Sequence, residues 1–151
     1  MNELKERIRA DINDAMRARD QVRLRALRMA LTSITTAEVS GDSAKELSDD
    51  EVVKILTREA KKRREAAEAF ESAGRAEQAA AERAEGVVLA EYLPAQLSDD
   101  ELTKLVAAAI TETGAAGMPA MGKVMKTLTP QVAGRADGAR VAAEVRRQLA
   151  S

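Results

Sequence analysis

The 151-residue sequence contains no cysteine, histidine or tryptophan, and only one phenylalanine and one tyrosine. The absence of cysteine excludes disulfides, thiolate metal sites and thiol nucleophiles. The absence of histidine removes imidazole acid–base chemistry and the commonest transition-metal ligand. Phe70 and Tyr92, the only aromatic side chains, leave little to stack against nucleic-acid bases. Long apolar runs are missing too. No stretch approaches the ~20 residues that span a bilayer, and the opening MNELKERIRADIND is too charged for a signal peptide. The expectation is a soluble, cytoplasmic protein with no membrane partner, no cofactor, no metal site and no recognisable catalytic group.

What is present is charge, at 32% of residues, and helical periodicity. Apolar residues recur at helical spacing almost throughout and alternating patterns are absent, so the expected fold class is all-α. The length is sufficient to bury a core without staples. Leu4, Ile8, Ile12 and Met16 stack at i+4 in a first helix over about 3–18. Asp20 is placed to cap a second helix, with Leu24, Leu27, Leu31 and Ile34 as its core stripe. Ser40-Gly41-Asp42-Ser43 ends that helix. Leu47-Ser48-Asp49-Asp50-Glu51 and Leu97-Ser98-Asp99-Asp100-Glu101 each read as a capping box, with Val52 and Leu102 completing hydrophobic staples. Their similarity fades within a few residues, so they are two helix starts rather than an internal duplication. Their acidic triplets suit a helix dipole better than a magnesium ion. Ala73-Gly74-Arg75 breaks a long helix, and Glu91-Tyr92-Leu93-Pro94 ends the next. These signals divide the chain into a larger N-terminal helical domain, 1–95, and a small C-terminal helical domain, 96–151, joined near Pro94 to Leu97.

The end of the chain is basic. Six Lys/Arg against two Asp/Glu from 117 to 151 give +4, leaving 18 against 23, or −5, before it. On a helix beginning near Pro119, Met121, Val124, Met125 and Leu128 share a face, with Lys123 and Lys126 roughly opposite. After the turn Gly134-Arg135-Ala136-Asp137-Gly138, a last helix puts Val141, Val145 and Leu149 on one stripe and Arg140, Ala143 and Arg147 on the other. Such an asymmetry suits a polyanionic partner, although single Lys and Arg residues also serve simply to solvate helix faces.

Two further constellations invite a chemical reading. Gly117 to Lys123 has the GxxxxGK spacing of a phosphate loop. However, Val124 replaces the magnesium-binding Ser or Thr, no strand precedes it, and Pro119 starts a helix that should contain Gly122 and Lys123. Nucleotide binding there is therefore rejected. Glu59 and Arg63 fall on the apolar face of the third helix, with Val52, Ile55, Leu56 and Phe70. Their i, i+4 spacing suggests a mutually satisfied pair at the core edge, with a pocket carboxylate and orienting arginine as the alternative. Lys61, Lys62 and Arg64 look like a solvated rim that Arg23, Arg25 and Arg28 could extend.

Met121-Gly122-Lys123-Val124-Met125-Lys126 followed by Gly134-Arg135-Ala136-Asp137-Gly138 resembles the GatB/YqeY family. Arg28-Met29, the two Leu-Ser-Asp-Asp-Glu starts, the Lys62-Arg63 region and Tyr92-Leu93-Pro94 support the likeness over essentially the whole chain. Ala120 departs from the acidic residue common before Met-Gly in that family. The resemblance implies an all-helical protein whose C-terminal part is similar to the tail domain of the B subunit of the glutamine-dependent aspartyl/glutamyl-tRNA amidotransferase. That tail contacts tRNA, and the matching basic positions are Lys123, Lys126 and Arg135, with Arg140 and Arg147 nearby.

The family's label is carbon–nitrogen ligase activity with glutamine as amido-N-donor, but the sequence lacks a glutaminase nucleophile and a phosphoryl-activation site. The reading is thus a non-catalytic module binding tRNA or another structured RNA. The alternatives are an adaptor for a protein of the translation or amidotransferase machinery, or an accessory to the ligase.

Overall fold

The computed structural model describes residues 3–150, and every regular element among them is helical. The chain divides into two compact units, Met1–Leu93 and Pro94–Ser151.

The first unit contains α1 (Glu3–Ala18), α2 (Gln21–Glu38), α3 (Asp49–Ser72) and α4 (Ala76–Ala90). α3 packs along α4, α1 along α2, and α2 also against α3 and α4. Asp20 caps α2 by accepting the Arg23 amide at 3.1 Å. At Ser48 both halves of the capping box form, with Leu47 and Val52 buried beside it. Gly74, with φ of 76°, turns the chain between α3 and α4 in the left-handed region that a side chain resists. Ile8, Leu27, Ile34, Leu56 and Leu89 are fully buried at the centre.

The stripe on α1 differs from the sequence expectation at its end: Met16 is 44% exposed, whereas Ala15 is buried. Each i+4 step overshoots a full turn by about 40°, so after three steps the residue has drifted off the core face and its neighbour has taken the place.

Charge enters this core at three carboxylates, Glu38, Glu59 and Glu85. Lys5 on α1 holds Glu38 at 2.6 Å, and that contact first, then the Leu47 amide, keeps the carboxyl below its usual range. The expected Glu59–Arg63 pair does not form. Glu59 accepts a hydrogen bond from Ser33 Oγ of α2 at 2.9 Å and pairs with Lys62 at 3.4 Å. Arg63 turns instead to α4, meeting Glu82 at 3.4 Å and Glu85 at 3.7 Å, while Arg25 of α2 reaches Glu85 at 3.6 Å. The one-turn spacing was a sound guide to shared face, but the adjacent helix supplies two carboxylates, one of them, Glu85, buried as deeply as Glu59 and in need of a cation. Tyr92 closes the unit: its hydroxyl donates to Asp11, and the Arg7 guanidinium lies 4.4 Å from the ring centre. Burial, then Asp11, pushes its ionisation upward.

The second unit contains α5 (Asp99–Thr113), a 3-10 turn (Met118–Ala120), α6 (Met121–Val132) and α7 (Gly138–Ala150). The Ser98 capping box repeats the bonds of Ser48, and Gly114, at φ 64°, terminates α5. Val106, Val124, Leu128, Val141 and Val145 are fully buried where the three helices meet. No charged residue is buried in this unit among the described residues.

Candidate nucleic-acid interface

α6 is built as its sequence suggests, with one refinement. Pro119 sits in the 3-10 turn, and the α-helix starts at Met121, so Gly122 and Lys123 lie inside it. Val124 and Leu128 point into the core, while Met121 and Met125 pack half-buried against it. Lys123 and Lys126 are exposed, three residues apart and so neighbours on the outer surface. Neither makes an ion pair or hydrogen bond through its side chain among the described residues. No acidic residue stands in the first turn of α6, and its N-cap position, Ala120, offers no side-chain bond. The positive end of the helix dipole therefore adds to Lys123, in the first turn, rather than being neutralised. Pro130 carries no N–H for the carbonyl of Lys126, leaving that turn stabilised by Thr127 and Thr129 hydroxyls that bond back to the Lys123 and Met125 carbonyls.

The three arginines of the candidate set are differently placed. Arg135 is half-buried in the α6–α7 loop, its side chain donating to the carbonyls of Gln131 at 3.3 Å and Ala95 at 3.4 Å, while its own carbonyl accepts from the Leu97 amide at 2.8 Å. It thus ties the loop to the start of the unit. Arg140 on α7 pairs with Asp99 at the start of α5 at 2.7 Å. Arg147 holds Glu144 through two nitrogens at 2.8 and 2.6 Å. That fork, then Gln148, lowers the Glu144 carboxyl to about 2. Of the five residues, Lys123 and Lys126 are the two with uncommitted charge.

Lys104 on α5 and Arg146 on α7 are also exposed and lack a side-chain partner among the described residues. Arg146 escapes a stripe-based reading because it stands on the flank of the Val141, Val145 and Leu149 face, about 100° from its centre. Lys104 and Arg135 both help lower Glu101, after the dominant contribution of the Ser98 amide, so part of their field is spent within the unit. The charge asymmetry contracts accordingly. Counted from Pro94, where the unit begins, seven Lys/Arg face six Asp/Glu, because the acidic start of α5 belongs with α6 and α7. The positive character therefore rests on four unpaired cations, Lys123 and Lys126 on α6, Lys104 on α5 and Arg146 on α7, rather than on the net charge of the unit.

The sequence that builds these helices carries a family signature. The sequence profile of the Yqey-like protein family matches residues 5–149. The chain belongs to the YqeY-like family. No curated protein matches the sequence.

In this YqeY-like chain the Met-Gly-Lys-Val-Met-Lys segment is the exposed and buried faces of a single helix. Its methionines and valine fix the helix to the core, and its lysines are what it presents outward. No group of three or more Asp and Glu side chains converges to hold a metal ion among the described residues, and no helix there is long and apolar enough to cross a membrane.

Proposed function

We propose that the second unit binds structured RNA, with tRNA the first candidate, through the outer face of α6, and does so without catalysing a reaction itself. The observation that carries this reading is the pair Lys123 and Lys126, exposed and unpaired on the outer face of a helix whose other face is anchored by Val124 and Leu128. The resemblance to the tail of the tRNA amidotransferase B subunit points the same way. Arg135, Arg140 and Arg147 act in this reading chiefly by holding the loop and α7 in place, and reach phosphate only by exchanging their present partners. Aromatic side chains are absent from the unit, so recognition rests on phosphate and shape rather than on stacked bases.

The test is binding of total tRNA across a salt series to the wild-type chain and to a Lys123→Glu/Lys126→Glu variant, with circular dichroism to follow folding. The variant is expected to bind at least about tenfold more weakly and to lose about 1.4 to 1.8 from the salt slope, two phosphate contacts' worth. Unchanged affinity and slope would refute the reading.

A second reading, an adaptor that docks on an amidotransferase or synthetase, is favoured by Met118. This methionine is 45% exposed beside half-buried Met121 and Met125, an adaptable apolar surface on the same unit. A stoichiometric protein complex that survives Lys123→Glu/Lys126→Glu but not Met118→Glu would support it.

A further inference from the structure

In the first unit a furrow runs between α2 and α3, made of two adjoining depressions of about 380 and 320 Å³ that share Ala37, Ile55 and Arg58 as their common floor and wall. One bank is α3, which places Lys54, Arg58 and Lys62 along it at successive intervals of four residues. Three cations at that interval form a row about 12 Å long that turns about 80° around the helix from first to last. All three are exposed, and Lys54 and Arg58 have no side-chain partner among the described residues. The other bank is α2, where exposed Thr32 and Thr36 line the furrow with hydroxyls that also lack a hydrogen bond among the described residues.

Negative charge in the furrow is already committed. Glu59 is held by Ser33 and Lys62, and Glu51 lies 3.4 Å from Lys45. With Lys45, Lys54, Arg58 and Lys62 against Glu51 and Glu59, the furrow carries a surplus of two positive charges.

We infer that this furrow takes the phosphodiester backbone of an RNA strand, as a contact separate from the face of α6. The two unpaired cations Lys54 and Arg58, continued along the same bank by Lys62, call for a repeating anion. Along a strand backbone, 12 Å accommodates about two to three successive phosphates. The choice of a nucleic acid over an acidic peptide rests on the proposed function, and competition with polyglutamate tests it. A phosphodiester held by the Arg58 fork keeps lone pairs that can accept from the Thr36 and Thr32 hydroxyls of the facing bank. The apolar floor of Ala37 and Ile55 excludes water beneath the backbone without a flat ring to read a base, so the contact is indifferent to sequence. The inference shares with the proposed function only the class of ligand.

The experiment measures fluorescence anisotropy of a labelled oligouridylate of about 12 nucleotides, which has no structure to recognise, against the full chain at several salt concentrations. Four proteins are compared: wild type, Lys54→Glu/Arg58→Glu, Thr36→Val, and Lys123→Glu/Lys126→Glu. The furrow charge variant is expected to lose at least about tenfold in affinity and about 1.4 in salt slope. Thr36→Val, which changes no charge, is expected to lose about threefold with the slope unchanged, one hydrogen bond to a charged group being worth at least that.

Loss on the furrow variants with the α6 variant unaffected would uphold this inference and leave the role of α6 to be decided by the tRNA measurement. Loss on the α6 variant alone, or no binding by wild type, would overturn the inference. Displacement of the RNA by polyglutamate as readily as by unlabelled oligouridylate would overturn it in favour of an acidic protein.

Discussion

The two units bury different things. The first threads its core with carboxylates, and each is met by a residue from another helix: Glu38 by Lys5, Glu59 by Ser33, Glu85 by Arg63 and Arg25. The second has an apolar core and keeps its cross-helix polar links outside, as in Arg140 with exposed Asp99, or at its edge, as in Gln148 donating to the Thr103 carbonyl at 3.0 Å. The contrast follows from size. A buried charge must be desolvated, and the cost is tolerable only where a large apolar area surrounds it. Four helices supply that area, and the smaller unit leaves its charges in water. Buried pairs in the first unit therefore fix which helix lies against which, whereas charges in the second remain available to a partner.

The largest expected effect tests the first half of this contrast. Arg63→Ala leaves Glu82 and Glu85 facing each other without their shared cation, and the first unit should lose about 3–5 kcal/mol in urea unfolding followed by far-ultraviolet circular dichroism. Replacing Arg63 and Glu85 together by leucine should recover most of the loss. A loss below about 1 kcal/mol for Arg63→Ala would mean that water reaches the carboxylates, and the difference between the units would disappear.

The capping boxes sharpen the contrast from the other side, because here the units are alike. Ser48 and Ser98 accept the amides of Glu51 and Glu101 at 3.2 and 3.1 Å. Ser48→Ala and Ser98→Ala should each cost about 1 kcal/mol, measured by hydrogen exchange of amides in the helix concerned. Costs differing more than twofold would show that the surrounding unit, rather than the motif, sets the value.

The smallest effect is at Glu144. Its folded carboxyl titrates at about 2, below the ordinary 4.5, so the stability it contributes is full above pH 4.5 and is lost as the pH falls toward 2. Glu144→Gln should cost less than about 1 kcal/mol at neutral pH, as for a surface pair. The gap from wild type should vanish near pH 2 in acid titrations of α7 amide protection, and a gap that persisted there would put the Arg147 contact outside the carboxyl's titration.

Much of the fold was legible because its signals are local. Asp20, Ser48 and Ser98 announce helix starts through their own hydrogen bonds, Gly74 and Pro94 mark breaks through backbone sterics, and Val141, Val145 and Leu149 lie on one face by arithmetic alone. What escaped were choices between distant partners. Arg63 had a carboxylate one turn away and took two from α4. Arg140 and Arg147 looked like free cations because their acidic partners, on α5 and one turn back on α7, carry no mark of the pairing. The furrow was equally hidden, since Thr32, Thr36 and Arg58 come together only when α2 lies beside α3.

Tyr92, packed beneath Arg7 and bonded to Asp11, is the sole tyrosine, and with no tryptophan it dominates absorption and emission near 280 nm. Any intrinsic fluorescence change therefore reports on the closure of α1 against the end of α4, and the second unit is optically dark at that wavelength. A ligand that shifts this emission has been felt in the first unit, while one that binds α6 leaves its mark only in amide signals or on a fluorophore attached there.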